Sequence, residues 1–421
     1  MIPVSTRLAN SVRSLVRIDN PRFISLIGFT HGMNEFFSIV IPPLLPFVVS
    51  DLSIAYADAS LLVFVYFAMY SIVQLPVGKL KDRYDPRYLL SGGMVVLSLG
   101  IALTAVATDY PLMVLGMAIA GLGGSTYHPT GMALISDVES DTTYGRSMGI
   151  HSMLGNLGSV SAPILLTTVA VAADWRTALL TSAAVGFGYA VLLHVAYPRL
   201  SPRITVGGRS LAALPADLRE AELELRETAA SSLRYFRSRT VLVLAVLFFV
   251  AGAELRAIQT FTPVFVIDVL GTSSVFGNTM LSVMMVAAGA TSMLAGYVVD
   301  EVDRTMFTAA CFLVATLLVG ALVYVPIDRL LLPVVFAVLG ISMYSLYPAV
   351  NALTAEATSA EESGTLFAVT NTSTALGGAV SPVVLGVVAD RLSLQLAFLG
   401  TAGITFVGLA VTLVVAFVVW D

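Results

Sequence analysis

Long apolar runs dominate the chain, and short polar stretches separate them. Each run is long enough to cross the hydrocarbon core of a bilayer as a helix, which takes about 20 residues. Periodicity discriminates little here, because the faces turned to protein and to lipid are both apolar. The pattern predicts twelve transmembrane helices, at residues 23–49, 59–78, 88–107, 111–135, 147–172, 177–197, 241–267, 275–299, 306–325, 330–355, 364–389 and 395–419.

The composition supports a polytopic membrane protein. Hydrophobic residues make up 57% of the chain and charged residues 12%, whereas charged residues are about 25% of a typical soluble domain. The net charge of −5 is spread over many loops and does not suggest nucleic-acid binding. The single cysteine, Cys311, excludes an internal disulfide and a cysteine-ligated metal site. Residues 1–22 lack an apolar core before a cleavage site, so they predict a cytoplasmic tail and not a signal peptide.

The basic residues predict the orientation in the membrane. Eighteen Lys and Arg residues fall in segments on the side of the N-terminus, and three fall in loops on the other side. Since basic loops stay in the cytoplasm, both termini are predicted to be cytoplasmic, in the cell membrane of a prokaryote. The polar segment at residues 199–239 predicts a cytoplasmic linker with a charged amphipathic helix between Leu211 and Phe236. A solvated linker is favoured there over a regulatory element.

The two halves of the chain repeat one another. An offset of 219 residues places Pro129 on Pro348 and Glu35 on Glu254. With six spans per half, both halves enter the membrane from the same side, an arrangement typical of transporters that rock two bundles around a central site. The predicted division is a tail at 1–22, a six-helix bundle at 23–198, a linker at 199–239 and a second six-helix bundle at 240–421.

The loop after the second run contains a recognisable motif, Gly78-Lys-Leu-Lys-Asp82-Arg83, with Arg87 following. It resembles the cytoplasmic signature of the major facilitator superfamily. The expected role is a latch, in which the glycine lets helices approach and the aspartate caps a helix or pairs with an arginine. The second half keeps Asp300 and Arg304 of this motif. The resemblance implies an all-α fold of twelve transmembrane helices in two pseudo-symmetric bundles, working by alternating access.

Within that superfamily the chain resembles the fosmidomycin-resistance type of efflux protein. The resemblance is carried by His31, Asn34 and Glu35 before Pro42-Pro43, by the glycine-rich run from Gly121 to His128-Pro129, and by Leu255-Arg256 before Phe261-Thr-Pro263. It implies proton-coupled efflux of drugs or of small amphipathic or anionic compounds.

Glu35 is a carboxylate near the middle of the membrane, about 18 Å into the first run at the rise of an α-helix. Such a charge is costly unless it is paired, protonated or hydrated, so it suggests function. A helix places His31 and Asn34 on the same face. Either Glu35 carries a coupling proton, with His31 tuning it, or it is a protonated carboxyl hydrogen-bonded to a neighbouring helix.

Glu254 and Arg256 lie in the seventh run, two residues apart, so they do not face each other on one helix. At least one of them needs a partner elsewhere. One hypothesis pairs Arg256 with Glu35 across the two halves, where proton or substrate would compete for it. The alternative is a permanent Glu–Arg structural pair. Glu254 joins Glu35 and His31 as a predicted proton-coupling residue.

His128 precedes Pro129, which frees a backbone carbonyl that only protein or a water-filled cavity can satisfy. His128 either binds an anionic group or relays protons, or it is a structural residue between packed helices. The predicted substrate-binding residues are Asn34, Tyr127, His128, Asn156, Arg256, Gln259 and Asn371.

No enzyme motif is found in the sequence, and no catalytic residue or cofactor is predicted. The histidines are far apart and give no metal-ligand spacing. The sequence shows no nucleotide-binding domain, so ATP is not the expected fuel. It predicts a monomeric secondary active transporter for a small molecule, with protons as the coupling ion. Its cavity is predicted to be lined by the first, fourth, seventh and tenth spans. Uptake or exchange of a small organic anion, and a non-transporting membrane sensor, remain alternatives.

Overall fold

The structure, a computed structural model, describes residues 18–81, 83–140, 142–202, 211–220, 238–356 and 363–419. Helices joined by short loops make up these segments. In chain order they are α1 (Pro21–Ser38), α2 (Ile41–Leu52), α3 (Tyr56–Leu80), α4 (Pro86–Val106), α5 (Tyr110–Gly124), α6 (Tyr127–Val138), α7 (Tyr144–Ala172), α8 (Trp175–Leu200), α9 (Arg239–Val264), α10 (Ser274–Glu301), α11 (Arg304–Tyr324), α12 (Leu332–Glu356), α13 (Ser363–Arg391) and α14 (Leu394–Val419).

These helices form twelve membrane spans, as predicted. Eleven are long and apolar enough to cross a membrane, with α1 and α2 counted as one. The twelfth consists of α5 and α6, which a break at Ser125 and Thr126 divides into two shorter helices. The break follows from Pro129, which has no N–H for the carbonyl of Ser125 and whose ring crowds that carbonyl.

The first six spans pack into one bundle, and the last six pack into a second. In the first bundle α1 packs on α7, and α4 packs on α5 and α8. In the second, α9 packs on α13, α10 on α12, and α11 on α14. Small residues permit the closest approach, because a side chain at Gly32 or Gly158 would collide with the backbone of the other helix.

We call the end of the molecule where α1 begins, α8 ends and α9 begins the terminal end, and the other the opposite end. At the opposite end the bundles are joined directly. The Asp390 carboxylate on α13 accepts hydrogen bonds from the backbone N–H groups of Tyr56 (2.8 Å) and Ala57 (2.9 Å) at the start of α3. Further bonds cross from Tyr56 to Asp268, from Asn278 to the Pro43 carbonyl and from Ser282 to the Val160 carbonyl.

At the terminal end the linker docks on the first bundle. A 3₁₀ turn at Leu211–Ala213 leads into helix at residues 214–220. There Asp217, only 1% exposed, accepts hydrogen bonds from Arg83 (3.0 Å) and from the Tyr84 hydroxyl (2.7 Å). Most described linker residues are exposed, but Asp217 is buried against the first bundle, and the solvated linker between the halves stays a prediction. The rest of the predicted helix, residues 221–236, lies outside the described residues, as do residues 1–17 of the predicted tail.

Candidate functional site

A cavity of about 360 Å³ lies between the two bundles, on the terminal side of the contacts that close the opposite end. Side chains from α3, α6, α9, α12 and α13 line it, among them Phe67, Tyr70, His128, Arg256, Tyr347 and Asn371. The fourth, seventh and tenth spans therefore contribute, as predicted. The first span does not, and the second and eleventh take its place in the wall.

The Glu35 carboxylate lies between two imidazoles at the edge of this cavity. Its Oε1 atom is 3.6 Å from His31 Nε2 and 3.5 Å from His128 Nε2. His31 reaches it along the same helix, with the spacing that the sequence predicts, whereas His128 comes from α6. Ser159 on α7 donates to the other carboxylate oxygen, Oε2, at 3.4 Å. Since His128 also lines the cavity, the Glu35 site is in contact with it.

His31 has a defined orientation and tautomer. Its ring stacks on His151 at 4.2 Å between centroids, and its Nδ1 lies 3.2 Å from the His151 carbonyl oxygen. A carbonyl only accepts, so Nδ1 carries the hydrogen, and a neutral His31 points the lone pair of Nε2 at Glu35. A lone pair and a carboxylate repel each other, so this geometry calls for a cation between them. Gly155 leaves the space for the ring, because a methyl group there would collide with it.

Tyr127 lies behind this site. It is buried, its hydroxyl donates to the Ile27 carbonyl (2.8 Å), and the same oxygen lies 2.7 Å from His151 Nε2. Because the hydroxyl has one hydrogen, His151 is the donor in the second bond. The Tyr127 hydroxyl is thus bound within the first bundle and does not line the cavity, so its role in substrate binding stays a prediction.

Arg256 faces the cavity without an ionic partner. Its guanidinium lies 3.9 Å from the Phe67 ring centroid and donates to Gln259 (3.0 Å), which in turn donates to the Tyr344 hydroxyl (2.8 Å). Within the described part of the chain, no carboxylate lies within 4.0 Å of it. Neither the predicted pair with Glu35 nor the alternative pair with Glu254 is formed. Gln259 is buried and supports Arg256. It does not line the cavity, and its predicted role in substrate binding stays a prediction.

Glu254 is not brought to the Glu35 site. It is 2% exposed, does not line the cavity, and its Oε2 atom has no hydrogen-bond partner among the described residues. The reason is helical geometry, since residues two apart point to different faces, and Arg256 takes the face toward the cavity. A role for Glu254 in proton coupling stays a prediction.

The three predicted asparagines occupy different environments. Asn371 is exposed in the cavity wall, as predicted for a substrate-binding residue. Asn34 is buried and donates to the Tyr70 hydroxyl (3.0 Å), so it positions a residue of the wall. Asn156 lies at the interface of α7 with α10, next to Gly289. Phe67 and Tyr70 were missed in the sequence, although their spacing of three residues does place them on one helix face.

The predicted gate motif is described in part. Arg83 donates to both oxygens of Glu220 (2.9 and 3.0 Å) as well as to Asp217, so linker acids are its partners. Asp82 and the side chain of Asp300 lie outside the described residues. Among the described residues, a methyl group at Gly78 would meet only Pro129, at 3.9 Å, so close packing against them does not explain this glycine.

The two remaining arginines of the motif stand at the starts of helices. Arg87 is the second residue of α4, where its backbone N–H donates to the capping Asp85 (2.8 Å) and its guanidinium lies 5.7 Å from the Tyr88 ring centroid. Arg304 begins α11, which Asp303 caps. Arg87 and Arg304 are not equivalent positions, but the capping residues Asp85 and Asp303 are 218 residues apart, close to the offset of 219 that the sequence repeat shows.

The same fold assembles a set of metal-ligating groups. One ligand atom from each of His31, Glu35 and His128 lies within 4.8 Å of the other two. Spacing along the sequence gave no sign of this, because His128 is far from the other two in the chain and is brought to them by the packing of α6 near α1.

The sequence matches a known protein family over most of its length. The family model of the Major Facilitator Superfamily matches residues 24–382, and a second match covers residues 276–421. The chain belongs to the Major Facilitator Superfamily. The predicted fold is thereby confirmed, and so is the prediction of a multi-pass membrane transporter that is not an enzyme.

Relatives within the superfamily include transporters of different compounds. The probable L-galactonate transporter of Escherichia coli (strain K12) is 28% identical over 147 residues, which are 35% of this chain and 32% of that protein. The fosmidomycin resistance protein of the same organism is 25% identical over 146 residues, 35% of this chain and 36% of that protein. The matched stretch thus spans about a third of each relative, and the predicted resemblance to the fosmidomycin-resistance type is confirmed.

Solved structures of superfamily members share the fold over nearly the whole chain. A bacterial homologue of the human lysosomal transporter Spinster, inward-facing and unoccupied, superposes with a TM-score of 0.78 at 14% identity, covering 95% of this chain and 98% of that one. A peptide transporter in complex with sulfate gives a TM-score of 0.74 at 16% identity, covering 94% of each chain.

Proposed function

We propose that the protein is a proton-coupled secondary transporter that exports a small organic anion by alternating access. The observation that carries this is Arg256, whose charge faces the cavity between the bundles with no carboxylate within ion-pairing distance in the described residues. A charge at membrane depth is costly without a partner. An anionic substrate would supply that partner, and the planar guanidinium suits a carboxylate or phosphate-like group.

The closed opposite end supports alternating access. Asp390 and Tyr56 join the bundles there, while the cavity lies on the terminal side of those contacts. If the basic terminal end is cytoplasmic, as the positive-inside rule predicts, this conformation takes substrate from the cytoplasm. Importers and exporters both pass through such a conformation, and the fosmidomycin resistance relative favours export. We expect the protein to act in a prokaryotic cell membrane, as a monomer and without nucleic acid.

The Glu35 site supports coupling to protons. His31 Nε2 and Glu35 Oε1 face each other in a geometry that calls for a cation, and a proton is the cation that this proposal assigns. His128 touches Glu35 and also lines the cavity that Arg256 faces. Protonation at Glu35 and anion binding at Arg256 would therefore influence each other through the cavity wall.

The test is transport by purified protein in proteoliposomes under an imposed pH gradient. Substrates would include L-galactonate and fosmidomycin, the compounds named for the two relatives, with other organic anions and neutral analogues. We expect gradient-driven movement of an anion by the wild type. Arg256→Gln should abolish it, and Glu35→Gln should abolish the response to the gradient but retain exchange of substrate across the membrane.

Arg329→Gln is the matched control, because Arg329 also stacks on a phenylalanine, Phe276, at 4.4 Å, but does not line the cavity. It should transport like the wild type. Equal transport by wild type and Arg256→Gln would sink the anion proposal. Equal responses to the gradient in wild type and Glu35→Gln would sink the proton coupling.

Uptake or exchange of a small organic anion is the second candidate, and the L-galactonate relative favours it. The residues assigned to it are the same, and only the direction differs. Accumulation of anion inside cells that express the protein, with unchanged tolerance to drugs, would favour uptake over export. Movement of no compound in liposomes would favour the non-transporting sensor.

A further inference from the structure

We propose that His31, Glu35 and His128 form a binding site for a divalent first-row transition-metal ion of the Zn²⁺ type. The ligand atoms are already close to the right separation. The Glu35 oxygen is 3.6 and 3.5 Å from the two imidazole nitrogens. Ligands bound tetrahedrally at about 2.0–2.1 Å lie about 3.3–3.4 Å from one another. The two separations from Glu35 therefore exceed those of a loaded site by only a few tenths of an ångström, and the ligand atoms of His31 and His128 lie within 4.8 Å of each other.

The donor set selects the class of metal. Two imidazole nitrogens and one carboxylate oxygen suit zinc, cobalt, nickel and iron. Magnesium and calcium prefer oxygen ligands throughout, so they fit this site poorly. The single cysteine, Cys311, takes no part in this donor set.

A second layer of hydrogen bonds orients the ligands. His31 donates through Nδ1 to the His151 carbonyl (3.2 Å), which leaves Nε2 free to bind an ion. Ser159 donates to the Glu35 oxygen that does not face the imidazoles (3.4 Å). Metal-bound histidines almost always donate the other ring nitrogen to a carbonyl or carboxylate, which fixes the tautomer in this way.

The site is reachable and leaves coordination positions open. His128 is 28% exposed and lines the cavity, so an ion arriving from the terminal end meets it first. With three protein ligands, one or more positions would be taken by water or by a group of a bound compound, as in metal sites that exchange ligands. Arg256 faces the same cavity, so an anionic ligand on the ion would be favoured there.

The experiment measures metal binding by the full chain in detergent, carrying no histidine tag. Zn²⁺ is titrated in competition with a chromogenic chelator at one fixed pH, and Co²⁺ is added separately because its visible absorption reports nitrogen and oxygen coordination. We expect one ion per wild-type chain. Glu35→Gln and His128→Gln should each weaken binding by at least about 100-fold, beyond the 10–100-fold typical of losing an outer-layer partner.

One control variant tests the location, and one matched pair of variants guards against misfolding. His194→Gln removes the histidine next to Ser91 (3.1 Å), outside the site, and should leave the affinity unchanged. Gly155→Ala keeps all three ligands but displaces the His31 ring, whereas Gly149→Ala on the same helix adds a methyl group in open space. Only the first of these two should weaken binding, with both eluting as monodisperse protein.

Absence of stoichiometric binding by the wild type would overturn the proposal. So would a wild-type affinity that Glu35→Gln and His128→Gln both retain, because the ion would then sit elsewhere. The proposal does not depend on the transported compound, since the readout is metal binding and no transport is measured.

Discussion

The guanidinium of Arg256 on α9 lies 3.9 Å from the ring centroid of Phe67 on α3, so a cation–π contact joins the two bundles at the cavity. This contact has to break or slide if the bundles rock apart. Contacts of this type contribute about 0.5–2 kcal/mol, the upper figure when they are desolvated. Phe67→Leu keeps an apolar side chain but removes the aromatic face, so it should shift the protein toward the conformation open at the opposite end.

The shift can be measured by labelling a cysteine introduced at Ser282, which is buried between the bundles. The only native cysteine, Cys311, would first be replaced by serine. Labelling should increase by about 2- to 30-fold, the factor that corresponds to the free energy above. Phe276→Leu, which removes the equivalent contact with Arg329 inside one bundle, is the control and should label like the parent. Equal labelling of both variants would contradict the prediction.

Asp390 is expected to hold the opposite end closed. Its carboxylate on α13 caps the first two N–H groups of α3, at 2.8 and 2.9 Å, and thus works as a helix cap supplied by the other bundle. Removing a capping group costs about 0.5–2 kcal/mol. Asp390→Asn, or more strongly Asp390→Ala, should therefore also increase labelling at position 282.

Asp328 provides the matched control for Asp390. It lies at the same end and accepts a hydrogen bond from the Leu330 N–H (2.8 Å), but this bond stays inside one loop. Asp328→Asn should leave the labelling at position 282 unchanged. If Asp328→Asn increased the labelling at position 282 as much as Asp390→Asn does, loss of any negative charge at this end would be sufficient. The explanation by helix capping would then fail.

Much of the fold was accessible from the sequence, because run length and apolarity decide whether a segment spans a membrane. Each of the twelve predicted runs corresponds to one observed span, and the ends differ by at most three residues. The contact between His31 and Glu35 was also predicted correctly, because residues four apart in a helix lie on the same face.

The partners across helices were not accessible in this way. His128 meets Glu35 only because α6 packs near α1, and Arg256 meets Phe67 rather than an acid because the cavity separates it from Glu35. Apolar patterning in a membrane does not say which faces meet, since lipid and protein present the same chemistry to a helix. Charge alone suggested an ion pair, and tertiary packing produced a cation–π contact instead.

The docked linker should depend more on Asp217 than on Glu220. Both bind Arg83, but Asp217 is 1% exposed and Glu220 52%. An exposed ion pair contributes about 0–1 kcal/mol, while leaving a buried group unsatisfied costs about 1–3 kcal/mol. Asp217→Asn should therefore speed amide hydrogen exchange in residues 211–220 more than Glu220→Gln does. Arg219→Gln, an exposed neighbour, is the control, and an order opposite to this one would refute the docking role of Asp217.

Glu139 should stabilise the protein in a pH-dependent manner. Burial alone would raise the pKa of this carboxyl in the loop after α6. The neighbouring hydroxyls of Thr143 and Ser147 and the hydrogen bonds from the backbone N–H groups of Asp19 and Asn20 outweigh burial and hold the pKa below its ordinary value. The two N–H groups, at 3.1 and 2.8 Å, belong to the chain that leads into α1, so the ionised carboxylate ties the start of the first span to the end of the fourth.

Because the folded-state pKa is lowered, this stabilisation is fully present above the ordinary glutamate pKa of about 4.3 and is lost as the pH falls through the folded value. Glu139→Gln should lower the free energy of unfolding at pH 7 by about 1 kcal/mol. The gap in melting temperature between wild type and variant should stay constant from pH 8 to about pH 6 and close below about pH 4. Thermal unfolding in detergent over this range measures it, with Asp137→Asn, an exposed acid two residues away, as the control. If the difference in melting temperature stayed the same at the lowest pH, the ionised charge of Glu139 would not be its cause. The side chain would then act through packing.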